Sequence, residues 1–125
     1  MKFPVIRTDE HGETHFAVCD IPDRDVPFGP PPNPTGKMTD FGAVTSMFLF
    51  SVPAGTEVPA HNAPQPYVCI IVSGQGEVVT SNGDTRRFSP GDVLFCDDLV
   101  GKGHVTRAIT DLVAAFVNRA TSEGV

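Results

Sequence analysis

Two histidines, His61 and His104, a tyrosine at 67 and the acidic pair Asp97-Asp98 are the residues of this chain whose types could do chemistry. An imidazole titrates near neutrality and can give or take a proton, and a phenol beside it can donate a hydrogen bond to a developing oxyanion. Those are the parts for enolisation, dehydration, isomerisation or cyclisation. A catalytic metal normally takes three protein ligands and keeps one position open. Two imidazoles alone would hold a divalent ion at His61 and His104 only weakly, unless Tyr67, Gln65 or Asp98 completed the set. A phenol ligates only after losing a proton with a pKa near 10, and Gln65 lies between prolines. No metal ligand set is therefore assigned, and His61, Tyr67, His104 and Asp98 are the candidate catalytic residues.

Strand alternation must position these groups. Side chains two apart share a face, so Tyr67, Cys69 and Ile71 form one set, and His104 and Thr106 another. Asp97 and Asp98 either solvate a turn or orient an imidazole. Of the two, Asp98 has the parity of Leu94 and Cys96. Pocket shape depends on which of Phe48, Phe50, Val72 and Phe95 point inward. Phe48 and Phe50, with Gln65 and Lys102, are the candidates for touching a substrate. His11 and His15 are spaced four apart, but Gly12 and the run Phe16-Ala-Val18 read as a turn entering an edge strand rather than as a helical ligand pair.

The elements themselves are short. Val44–Val52 is a β-branched and aromatic run, followed by apolar runs at 67–72, 77–80, 85–88, 93–96, 104–110 and 112–118. Each is bounded by Gly, Pro, Asn or Asp, which is the punctuation of strands. Asn82-Gly83 predicts a type I′ turn, in which both central residues take positive φ. Residues 1–43 show little periodicity, and the prolines of 26–36 predict an extended loop, since proline cannot donate to a ladder. No helical stripe exceeds two turns. The expectation is an all-β chain of 125 residues forming a single domain, with an N-terminal arm and Pro-rich loop at 1–43 and a barrel core at 44–118.

Gly and Pro supply 24 of 125 residues, above the average of about 12%, and they fall between apolar runs as turns do. A net charge of −6 with scattered Lys and Arg argues against nucleic-acid and anionic-membrane partners and leaves a small-molecule ligand as the expectation. The start lacks a signal-peptide core, and no run approaches the roughly 20 apolar residues of a membrane span. Cys19, Cys69 and Cys96 form no C-x-x-C pair, which suits a reduced, cytoplasmic setting. Phosphate-binding loops, dinucleotide glycine patterns and the serine elbow are absent from the sequence.

The spacing Gly55…His61-Asn-Ala63…Tyr67…Gly74 resembles the first motif of the cupin family, G-x5-H-x-H-x3-E-x6-G, with Ala63 at the second His position and Tyr67 at the Glu position. Gly101 and His104 match the second motif, G-x5-P-x-G-x2-H-x3-N, with Leu99 at the Pro and Ala108 at the Asn. The resemblance implies a double-stranded β-helix, or jelly-roll barrel, over 44–118, with His61, Tyr67 and His104 sharing a pocket at its mouth. It also implies a homodimer, in which the Pro-rich loop and Phe28 form either a lid or a subunit contact. Three functions stay open: a lyase, isomerase or cyclase using His-based acid–base chemistry on a small carbonyl or carboxylate metabolite, a binding barrel without chemistry, and a metal-dependent dioxygenase with an atypical ligand set.

Overall fold

The computed structural model describes residues 1–122. Among them are twelve strands: β1 (Lys2–Thr8), β2 (Thr14–Asp20), β3 (Asp23–Pro27), β4 (Thr35–Thr39), β5 (Val44–Val52), β6 (Glu57–His61), β7 (Tyr67–Ser73), β8 (Gly76–Thr80), β9 (Thr85–Phe88), β10 (Val93–Cys96), β11 (His104–Ala108) and β12 (Leu112–Arg119). They form a six-stranded sheet in the order β2-β1-β10-β7-β12-β5, a four-stranded sheet β6-β11-β8-β9, and a separate hairpin β3-β4. No helix among the described residues is long and apolar enough to cross a membrane.

The barrel core lies between the two larger sheets. Alternate residues of the long sheet, including Ile6, Tyr67, Ile71, Leu94, Cys96, Leu112 and Ala114, meet Val78, Phe88 and Ala108 of the short one. The other face of the long sheet is covered as well. Phe3, Val5, Cys19, Val68 and Phe95 form a second cluster there, with Phe41 and Val117 packed against it. Strands buried on both faces read as continuous apolar runs rather than as alternation, which is how Tyr67-Val-Cys-Ile-Ile and Val93-Leu-Phe-Cys appear in the sequence.

Residues 1–43 differ from the expected arm and extended loop. β1 enters the long sheet between β2 and β10, parallel to β10 in the register Val5↔Phe95 and Ile6↔Cys96, and antiparallel to β2. Its pattern is hidden because Val5 faces the outer cluster and Ile6 the core, and both are fully buried. Pro4 breaks no ladder to β10, because that pairing begins only at Val5. β2 is the sheet's edge, in keeping with the turn at Gly12. The Pro-rich stretch is a hairpin, with Val26↔Gly36 and Pro27↔Thr35 paired and Pro30 to Pro34 at the tip, where few ladder donors are needed. β6 also carried no clear signal in the sequence, since its five residues Glu-Val-Pro-Ala-His include a proline and form the edge of the short sheet.

The turn after β8 is not type I′. Gly83 takes φ 95° but no non-glycine residue among those described has positive φ, so Asn82 stays on the ordinary side. Its side chain explains the preference: the Asn82 carboxamide oxygen accepts from Thr80 Oγ1 at 2.6 Å and from the Asp84 amide at 3.1 Å. That local bond stabilises a turn in which only the glycine must be left-handed.

Candidate active site at the barrel mouth

His61 and His104 are brought together by backbone pairing. β6 and β11 are antiparallel neighbours, and His104↔His61 is a directly opposed pair. The two ring centroids lie 4.5 Å apart at 54°. Gly103 makes the approach feasible, because its φ of 71° is left-handed and a Cβ there would collide with the His61 carbonyl. Gly103 is held in turn by the fully buried Thr14 of β2, whose hydroxyl donates to the Gly103 carbonyl at 2.6 Å. Asn62 adds a second clamp, donating from its carboxamide to the Gly101 carbonyl at 3.0 Å.

Gly103→Ala is therefore expected to displace β6 from β11 and part the two imidazoles while most of the barrel keeps its packing. An amide NMR spectrum should show shifts concentrated at 60–63 and 101–106. Shifts spread evenly over the chain, or none at all, would contradict the geometry.

Each imidazole is fixed by what its Nδ1 meets. His61 Nδ1 lies 2.9 Å from the Pro59 carbonyl oxygen. A carbonyl only accepts, so Nδ1 carries the proton and Nε2 keeps its lone pair. His104 Nδ1 lies 2.6 Å from Asp98 Oδ2, a pair fully removed from solvent at 2% and 0% exposure. Asp98 thus follows the parity of Leu94 and Cys96 into the interior and is not a solvated turn residue. Its backbone carbonyl also accepts from the Ala63 amide at 3.0 Å, tying the end of β6 to the loop after β10. On the far side of His104, Nε2 is 3.4 Å from Tyr67 Oη.

Tyr67 is buried, and burial pushes its phenol well above its usual range because the phenolate would lose its hydration. It therefore stays a donor. The same cause pushes the Cys69 thiol up to about 12 and raises Cys96 further into the unreactive range. Tyr67 is the chain's one tyrosine and tryptophan is absent, so its ionisation can be followed directly by ultraviolet absorption. The folded value is raised above the unfolded value near 10. Stability from this group is thus complete below pH 10 and falls as pH climbs above it. Native protein should show no phenolate signal through pH 10 and should gain it only together with cooperative unfolding. A phenolate titrating near pH 10 in still-folded protein would place Tyr67 in solvent.

These groups border a cavity of 430 Å³ reached by Phe48, Phe50, Gln65, Tyr67, His61 and His104. Phe48 stacks on Phe116 at 5.3 Å and 10°, and Phe50 and Tyr67 meet the same ring at 6.2 and 5.3 Å. Phe48, Phe50 and Gln65 thus sit where a substrate contact was expected. Val72 and Phe95 do not: Val72 faces solvent and Phe95 is buried in the outer cluster. Lys102 also lies apart, ion-paired with Glu13 on the exterior. Arg107, which could have served the same end, is bonded to Glu57 at 3.0 Å and Glu77 at 3.2 Å outside the barrel. Thr14, Asn62 and Gly103 escaped the sequence reading, because none is a reactive type and their effect depends on tertiary contacts.

The donor set does not suit a resident metal. Among the described residues no three His, Cys, Asp or Glu side chains converge on a point. The third position would fall to Tyr67, whose burial opposes the phenolate that ligation requires. The other two ligand positions of the motif resemblance hold Ala63 and Tyr67.

No family model matches the chain and no curated protein does. Solved structures do. A conserved protein of unknown function from Streptococcus pyogenes superposes at TM-score 0.51 with 21% identity, covering 61% of this chain and 65% of that one. A cupin superfamily protein from Desulfitobacterium hafniense gives 0.53 and 16%, over 66% and 73%. Ectoine synthase from P. lautus gives 0.50 and 21%, over 61% and 54%. The matched region spans less than two thirds of the streptococcal protein and of the synthase. At these identities the likeness concerns the fold, and it agrees with the all-β jelly roll and its two-sheet core. The chain shares the all-β jelly-roll fold of these structures.

Proposed function

We propose that the protein is a proton-transfer enzyme of the lyase, isomerase or cyclase type acting on a small carbonyl compound. The observation that carries this reading is the buried Asp98–His104–Tyr67 row, with His61 beside His104 and both imidazoles and the phenol lining one cavity. His61 Nε2, with its lone pair free, takes a proton from the carbon next to the carbonyl. The electrons of that C–H bond move into the C–C bond, and the carbonyl oxygen gains charge. Tyr67, kept protonated by burial, turns its hydroxyl from His104 Nε2, 3.4 Å away, to that oxygen. Proton return at another carbon gives isomerisation, and loss of a group from the β-carbon gives elimination. The proton passes from His61 to the free Nε2 of the neighbouring His104, whose ring Asp98 fixes and whose imidazolium it stabilises, and His104 then delivers it to the other carbon or to the departing group.

Exchange of α-protons for deuterium, followed by NMR in D₂O with small ketones, tests the reading. Exchange should require His61 and His104. Binding without exchange in the unaltered protein would favour the non-catalytic binding barrel instead.

We also propose that the chain works as a homodimer. Among the described residues the hairpin β3-β4 pairs with no other strand, and an isolated hairpin is marginal in water. Its tip residue Phe28 is 81% exposed. The edge strand β5 leaves one ladder face unpaired and exposes Met47 and Leu49 at 64% and 63%. Met47 and Leu49 lie on the face of β5 opposite the cavity-lining Phe48 and Phe50, so they form an apolar strip on the outside of the sheet. A second copy supplying its hairpin to this edge would satisfy both surfaces at once. Sedimentation should give a dimer that Leu49→Lys or Phe28→Ser weakens. A monomer at 100 µM, or a dimer indifferent to both changes, would refute it.

A further inference from the structure

We infer that the cavity takes an uncharged carbonyl compound with an apolar, ring-sized body, and that carboxylate-bearing metabolites are excluded from it. The inference deepens the proton-transfer reading by naming its substrate class, but binding itself does not depend on that reading. Charge is the first argument. Among the described residues that line the cavity there is no Lys or Arg. The cations nearest in sequence to the site are committed elsewhere, Lys102 to Glu13 and Arg107 to Glu57 and Glu77. The acidic side chains at the site are Asp92, which lines the cavity, and Asp98, buried behind His104. A substrate carboxylate placed beside the reacting carbonyl would lose its hydration with no opposite charge to replace it.

Hydrogen-bonding capacity is the second argument. A carboxylate wants several donors. Tyr67, Gln65 and Thr106 offer neutral donors only, and one hydrogen of the Asn118 carboxamide is already given to Ser46 Oγ at 2.8 Å. Neutral donors suit a carbonyl oxygen and leave a carboxylate charge uncompensated. Shape is the third. The wall opposite the histidines is the Phe48, Phe50 and Phe116 cluster, with Val52, Ile71 and Leu94 deeper in. Such a wall favours flat or cyclic apolar bodies through area burial and ring contacts. A volume of 430 Å³ is at the small end of ligand pockets and holds on the order of a dozen heavy atoms.

The test uses two probes of one skeleton, phenylacetone and phenylpyruvate, which differ at the carbonyl by a methyl against a carboxylate. Binding to the full chain is measured by saturation-transfer NMR and calorimetry at neutral pH, and α-proton exchange is followed separately. Phenylacetone should bind at least tenfold more tightly, and Phe48→Ser should weaken it severalfold. Gln65→Arg, which brings a cation to the cavity wall, should narrow or reverse the preference. Equal or tighter binding of phenylpyruvate to the unaltered protein, or no binding of either probe, would overturn the inference. Selective binding of phenylacetone without exchange would leave the ligand class standing and refute the proton-transfer reading.

Discussion

Asp98→Asn should lower the rate of α-proton exchange by about 10²- to 10⁴-fold while the barrel remains folded. The aspartate touches no substrate. It acts by accepting the Nδ1 proton of His104 at 2.6 Å, in a place with no solvent to substitute for it. An asparagine of nearly the same shape can keep a hydrogen bond there, but it brings no charge to stabilise an imidazolium. Its amide can also donate to Nδ1, which would move the proton to Nε2 and remove the lone pair that faces Tyr67. The loss should therefore appear in the exchange rate and its pH profile, with phenylacetone affinity changed little. A structural role alone would lower thermal stability and leave the per-molecule rate of the folded fraction intact.

His104→Ala is a less clean probe than its position suggests. It leaves the Asp98 carboxylate buried without its partner, and breaking such a pair costs about 3–5 kcal/mol. His61 lacks that complication. Its ring rests on a backbone carbonyl and is only partly buried. His61→Ala should thus remove exchange at small cost in stability, and the contrast between the two variants follows from the buried charge alone.

Which parts could be read beforehand depends on where each residue's partners lie. β5 and the runs that became β7 to β12 were legible because their turns are local: Gly74, Asn82-Gly83, Pro90-Gly91 and Asp111 mark the ends. Inward and outward faces followed from parity once a strand was known, which put Tyr67 and Cys69 on the pocket side and Asp98 behind His104. β1 was illegible because both its faces are covered, by the core at Ile6 and by the outer cluster at Val5. The pairing of 61 with 104 was beyond periodicity altogether. Only the motif resemblance placed them together, and β6 is too short and proline-broken to announce itself. Lys102 shows the reverse error. Its sequence position beside Gly101 and His104 suggested the pocket, but the left-handed glycines at 101 and 103 turn the chain, and its ammonium meets Glu13 outside.

The largest loss of stability should come from the face of the long sheet opposite the pocket. Phe95 is fully buried on β10, with Phe3 at 5.4 Å and Phe41 at 5.1 Å, and the Arg119 guanidinium lies 5.0 Å over its ring. Those contacts join β1, β10, β12 and the segment leading into β5, so one side chain holds together strands distant in the sequence. Phe95→Ala would remove the ring and leave a cavity that β-sheet backbones on either side cannot collapse to fill, at a cost of about 3–5 kcal/mol. The upper part of that range is expected, because Arg119 would keep its buried charge and lose the aromatic face beneath it. Against a total of ~5–15 kcal/mol for a domain, the melting temperature should fall by roughly 15–20 °C. Phe48→Ala removes a ring of equal size from the half-exposed pocket mouth and should cost no more than about 1 kcal/mol. Parity makes the comparison decisive. Phe95 points away from the cavity, so its loss should leave phenylacetone binding by the folded fraction unchanged, whereas Phe48→Ala should weaken binding and spare stability. Comparable melting temperatures for the two variants would mean that the outer cluster does not hold β1 onto the barrel.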